Sequence, residues 1–232
     1  CFSLLGGAAA GLHSALYLYN VRYFFMFTGL EMAITGICLL IAPAISFYLT
    51  SRVAPRFGKK KTAIGMALFR LALYPIPYIA VLTDVWPELT STASLALYSA
   101  FLVVEVSAIV VSATMIDSMM ADLAEDSEKQ TNRRSEGLFF ATRGFAGKFI
   151  SAAGVVSAGV IVSIVGFDSI TSLADFTDDH RYRLATLFLP VYCTLLVCAY
   201  ACINLYKIDR ESHQENLRIL ADRSADDANT GT

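Results

Sequence analysis

Apolar residues in this chain come in blocks of about 20, separated by short polar runs, and that spacing decides the fold class before any residue is weighed singly. A helix rises about 1.5 Å per residue, so about 20 residues cross a hydrocarbon layer about 30 Å thick. Inside such a layer every backbone N–H and C=O must bond within the protein, which leaves helices or a closed barrel. Blocks of this length point to helices. Charged residues make up 16% of the chain and hydrophobic ones 56%, where a soluble domain carries about 25% charged. The expected fold class is all-α: a polytopic membrane protein.

Six spans are expected, at about 1–19, 25–48, 62–82, 95–121, 137–165 and 184–206. Together they form a bundle over 1–210, and the chain closes with a cytoplasmic tail over 211–232. In the tail Leu217, Ile219 and Leu220 suggest an amphipathic surface helix before a polar, disordered end. Orientation follows from lysine and arginine, which collect on the cytoplasmic side. The connection after the second span holds Arg52, Arg56, Lys59, Lys60 and Lys61 with no acid, whereas the next holds Asp84 and Glu88 with no base. Six crossings then place both ends inside.

A net charge of −2 gives no electrostatic footprint for nucleic acid. The five cysteines lie in apolar stretches without a C-x-x-C pair, and no metal site is expected. His13, His180 and His213 fall in a span, an outer loop and the tail, with neither H-E-x-x-H nor G-x-S-x-G, so an enzyme is not expected. The chain opens Cys1-Phe2-Ser3, already apolar and without an initiator Met, and reads as part of a longer protein.

Ionisable residues inside spans cost at least about 2.5 to 3.5 kcal/mol each, so each needs a reason. Here they are His13, Glu31, Arg70, Glu105, Asp117, Arg143 and Lys148. Counted from Glu136, Lys148 lies about 18 Å along the fifth span, near the midplane, and Arg143 about 10 Å in. The same helix carries Gly137, Ala141, Gly144, Gly147, Ser151 and Gly154 at spacings of three and four, a stripe that lets a neighbour approach closely. A midplane cation on such a helix suits a transport pathway, with Arg143, Asp117 and Glu105 as companions. The competing structural reading pairs Lys148 with Asp117 or Glu105 to fix helix register.

Two segments resemble a known family. Met119-Met120-Ala121-Asp122-Leu123-Ala124-Glu125-Asp126-Ser127-Glu128, then Arg134-Ser135-Glu136-Gly137-Leu138-Phe139-Phe140-Ala141 and Gly147-Lys148, run without a gap from Met119 to Lys148. This stretch is similar to the junction of helices ten and eleven in the glycoside-pentoside-hexuronide:cation symporters, the melibiose permease-like branch of the major facilitator superfamily. Arg56-Phe57-Gly58-Lys59-Lys60-Lys61 resembles the R-x-G-[RK]-[RK] loop core repeated in both halves of major facilitator transporters.

The resemblance implies the C-terminal six-helix half of a secondary active transporter, with its N-terminal six-helix half and the lipid bilayer as partners. Such proteins carry substrate at the midplane between two halves. It further implies symport of a sugar, glycoside or hexuronide with Na⁺ or H⁺. No cofactor is implied beyond that coupling cation, whose site belongs mostly to the other half. Lys148 matches the family's helix-eleven lysine, implied to lie beside the cation carboxylates and the sugar. Asp122, Glu125, Glu128, Arg134 and Glu136 match a charged cytoplasmic connection implied to latch the inward side through ion pairs to the other half, with Arg56 in a similar part.

There are two departures. Ser112 stands where the family's type member has a Trp, and Arg143 where it has a Gln. Arg143 and Lys148, about 7 Å apart along the helix, would suit an anionic sugar, unless Arg143 is consumed by Asp117 or Glu105. Alternatives are a six-helix membrane scaffold without transport, or a carrier of a non-sugar organic anion. A bacterial inner membrane is the expected location.

Overall fold

The computed structural model describes residues 2–131, 136–170 and 172–205; the expected tail helix and disordered end lie outside them. Described residues form eight α-helices: α1 (Phe2–Tyr19), α2 (Gly29–Cys38), α3 (Ala42–Phe57), α4 (Lys59–Leu73), α5 (Pro75–Leu82), α6 (Thr92–Thr131), α7 (Glu136–Val165) and α8 (Asp178–Ala201). A 3₁₀ turn joins α2 to α3, and the α4/α5 break falls at Tyr74 before Pro75, so these pairs act as single rods. The rods are Gly29–Phe57 and Lys59–Leu82, and with Thr92–Ser127, Phe140–Val165 and Asp178–Ala201 they are long and apolar enough to cross a membrane. With α1 they make six helical units.

The closest helix pair is α1 on α7, and small residues are the cause. A Cβ placed on Gly11 would sit 2.0 Å from the Ser151 carbonyl oxygen, one on Gly7 2.5 Å from that of Gly147, and one on Gly154 2.1 Å from that of Ala8. The two backbones therefore touch with no side-chain layer between them, as small-xxx-small seams allow. Only the Gly147, Ser151 and Gly154 part of the α7 stripe is used this way. A Cβ on Gly137 or Gly144 would meet open space.

The second span begins later than about 25. After α1 the chain tightens into a π-helical turn (Asn20–Phe24), and a short strap then leaves helical geometry, with Met26 at φ 60°. Phe24, Phe25 and Phe27 are fully buried there, against Tyr78, Tyr98 and Trp86. Arginine donors hold the strap: Arg22 Nη1 to the Phe27 carbonyl at 2.9 Å and Arg181 Nε to the Phe24 carbonyl at 3.2 Å. The helix then starts at a capping box, in which the Thr28 N–H donates to Glu31 Oε2 at 2.8 Å and the Glu31 N–H to Thr28 Oγ1 at 3.3 Å. Glu31 is thereby a helix cap, not a membrane-embedded charge in want of a role.

At the other end α6 overruns its expected end near 121 and continues to Thr131. Its 40 residues span about 60 Å, twice the hydrocarbon thickness. Residues 121–131 contain no Gly or Pro, and seven of the eleven are Ala, Leu, Glu, Lys or Gln, which favour helix in water as well as in lipid. Asp122, Glu125 and Glu128 therefore lie on a helix and not in a loop, a correction to the expected connection.

Gly11→Val should break the α1/α7 seam and lower the melting midpoint in detergent, with a cost of at least about 1 to 3 kcal/mol. Gly36→Ala, where a Cβ meets nothing, should leave it unchanged or raise it. Equal midpoints for the two variants would contradict the seam.

Candidate functional site

A cavity of about 600 Å³ opens between α1, α4, α6, α7 and α8. Its α1 wall is Gly6, Gly7, Ala9, Ala10 and His13, and its α7 wall is Phe140, Arg143, Gly144, Gly147, Lys148 and Ser151. Arg70, Ile116, Leu196 and Tyr200 complete most of the remainder. At Gly144, where a Cβ would meet open space, the missing side chain adds to the room. Polar groups then enter from three directions into an otherwise apolar bundle.

Lys148 lies on this lining and is exposed. It forms no ion pair among the described residues. Both carboxylates that the structural reading offered it are engaged elsewhere: Asp117 with Arg143, and Glu105 with Arg70. Arg143 is thus bound to Asp117 on α6, and that pair joins α6 to α7 at the edge of the cavity. Asp117 is itself half exposed. Glu105 is not on the cavity lining, and its carboxylate is 0% exposed.

The strongest polar feature in the bundle brings together His13, Arg70 and Glu105, each an ionisable residue within a span in the sequence but with no local signal that they meet. Arg70 Nε donates to Glu105 Oε1 at 2.7 Å, and its Nη2 donates to the Tyr192 hydroxyl. The guanidinium also lies 5.5 Å from the Tyr192 ring centre. His13 stacks on Tyr192 with ring centres 5.5 Å apart and meets Tyr74 edge-on at 5.6 Å. This assembly ties α1, α4, α6 and α8 together at the cavity floor. The other oxygen, Glu105 Oε2, is buried without a hydrogen-bond partner among the described residues. Buried polar atoms are nearly always satisfied, so an orphan beside a cavity floor marks a network that is not closed within the bundle. Arg70 and Glu105 lie 35 residues apart, and no local spacing signals that they meet.

Ser112, the position lacking the aromatic ring, donates to the Tyr200 hydroxyl at 3.2 Å. Tyr200 lines the cavity from α8, so a ring is present near this place, supplied by another helix.

The expected cytoplasmic latch divides. Lys59 Nζ bonds both Asp122 oxygens, at 2.6 and 2.9 Å, and the carboxylate is only 4% exposed. Asp122 therefore joins α4 to α6 inside this bundle, because the overrun of α6 carries it beside the start of α4. Arg56 is exposed, and Glu125 is half-buried on α6. Arg134 and the side chains of Glu128 and Glu136 lie outside the described residues.

A helical membrane bundle with a polar, cation-bearing cavity between its spans defines a solute carrier. The chain belongs to the MFS/sugar transport protein family, whose model matches residues 1–210. It is a transporter family and not an enzyme family. No curated protein and no solved structure matches the chain.

Breaking the floor tests its role in holding the helices. Arg70→Met alone should destabilise by about 3 to 5 kcal/mol by leaving Glu105 buried and unpaired, and Arg70→Met with Glu105→Leu should recover most of the loss. Melting midpoints of the two single variants and the double variant make the cycle; additive losses would refute the coupling.

Proposed function

We propose that this chain is the C-terminal half of a cation-coupled symporter for a sugar-like solute, working by alternating access across a bacterial inner membrane with its basic loops inside. One observation carries the reading: Lys148 stands on a cavity of about 600 Å³ with no carboxylate of its own among the described residues, while the other deep cations are paired. An unpaired ammonium so far into the membrane needs water, an anion or an opposing carboxylate. The cation site of the other half, which the family resemblance implies, supplies such carboxylates, and the coupling ion, Na⁺ or H⁺, then competes with Lys148 for them.

Several groups suit a hydroxylated solute. Tyr200 and Phe140 offer aromatic surface for the apolar face of a pyranose, and His13, Ser151 and Arg70 offer polar atoms to its hydroxyls. The cavity is large enough for a small glycoside, since ligand sites run from about 300 to 1,000 Å³. Arg143 is engaged by Asp117, which favours a neutral solute over a hexuronide. A scaffold would have no use for Lys148.

In the complete protein Lys148→Ala should reduce cation-driven accumulation by at least about tenfold while leaving membrane insertion intact, the loss expected when a group completing a buried charge network is removed. Normal accumulation by that variant would end the assignment. Arg143→Gln should leave the preference between a uronide and its neutral sugar unchanged, and uptake of the two in competition reads it directly. A shift toward the neutral sugar would return Arg143 to solute recognition.

A further inference from the structure

Along the cavity α1 presents Gly6, Ala9, Ala10 and then His13, at the three-and-four spacing of one helix side. His13 is the first of these to carry more than a methyl group, so the room left by the small residues ends at its ring. Two other helices hold that ring, Tyr192 of α8 by stacking on it and Tyr74 of α4 by meeting it edge-on. The imidazole makes no hydrogen bond among the described residues, although a neutral one has both a donor and an acceptor to place. Phenylalanine would keep both ring contacts and leave no polar atom without a partner, so packing does not explain a histidine here.

Arg70, also on the lining, is in the same position at one atom. Its Nε is spent on Glu105 and its Nη2 on the Tyr192 hydroxyl, which fixes the planar guanidinium and leaves Nη1 without a hydrogen bond among the described residues. Both groups therefore rest on one residue, His13 on the Tyr192 ring and Arg70 on its hydroxyl. The buried Glu105 decides the charge of what they can bind. An anion at Arg70 would lie near a carboxylate that already balances the arginine, whereas an uncharged hydroxyl meets no such repulsion.

We propose that His13 and Arg70 Nη1 are the pair that reads the solute's hydroxyls. One hydroxyl donates to the unprotonated nitrogen of His13, and a second on the same molecule accepts from Arg70 Nη1. The assignment rests on the sugar-symporter reading and specifies its solute: an uncharged compound with two hydroxyls that reach the Tyr192 side of the cavity together. Glu105 and Tyr192 are positioning residues, since they act through Arg70 and His13. Ring and guanidinium are held before the solute arrives, so binding orders little, and a molecule lacking either hydroxyl leaves a polar atom unpaired.

The test is uptake by the complete protein in proteoliposomes of the methyl glycosides of glucose, galactose and xylose, then of the monodeoxy analogues of whichever is accumulated best. Removing either hydroxyl that is read should raise KM about tenfold, and removing any other should raise it less. His13→Phe keeps both ring contacts and should leave the melting midpoint unchanged or raised. It should raise KM for the parent glycoside about tenfold with the maximal rate little changed, and leave KM unaltered for the one analogue that lacks the hydroxyl read by His13. His13→Gln, which restores a donor and an acceptor, should recover part of the loss. An unchanged KM in His13→Phe would overturn the proposal and leave symport standing. So would equal uptake of every monodeoxy analogue by the unaltered protein, a reading that does not depend on any variant folding. Accumulation of none of the three glycosides would end the sugar reading and this assignment with it.

Discussion

In hydrocarbon a charge has no water to fall back on, and the arrangement of this bundle follows from how each one is answered. Arg70 is matched by Glu105, Arg143 by Asp117, and Lys59 by Asp122 where α6 emerges toward water. Each pair joins two different helices, so neutralising charge and fixing helix register are achieved together. Of the three lysines and arginines placed deep in spans, Arg70, Arg143 and Lys148, only Lys148 has no carboxylate among the described residues. The three pairs show that acids were available within reach of these helices, which makes the solitary lysine a property of the site and not an accident of composition.

The cavity exists because α1 and α7 meet backbone to backbone. Gly7, Gly11 and Gly154 remove the side-chain layer along one part of the contact, and Gly144 continues the small-residue face into open space. One stripe thus does two things along its length: it closes where α1 lies on it and hollows where α1 does not. At the opposite end, arginine donors and a buried aromatic cluster hold the strap over Phe25 to Phe27, so the chain leaves α1 in a defined direction despite the positive φ at Met26. The position of α1, and with it the cavity mouth, is set from both ends.

Much of this was legible in the sequence wherever the signal was local. Span lengths and the α7 stripe are periodic features read directly from spacing, and the Met119 to Lys148 stretch pointed to the family that the comparison returned. Non-local pairing was not legible: nothing near Arg70 announces Glu105, and nothing near Asp117 announces that it meets Arg143 and not Lys148. The Thr28 to Glu31 capping box was present as a pattern but was hidden inside a hydrophobic run, because hydropathy alone does not register that Phe25 and Phe27 pack in a non-helical strap. The overrun of α6 is hidden for the converse reason: a charged run resembles a loop by hydropathy, although Glu and Lys are good helix formers once the chain is in water.

The walls of the cavity are held in different ways. The α1/α7 side cannot shift without parting backbones in contact, and the floor cannot shift without exposing half of a buried ion pair, a change costing about 3 to 5 kcal/mol. The α8 wall is tied in another way: at Tyr200 the Ser112 hydroxyl donates to the Tyr200 hydroxyl at 3.2 Å, so α6 meets α8 there through a neutral hydrogen bond of about 1 kcal/mol net and not through an ion pair, while Ile64 and Ile203 share an apolar cluster with the ring.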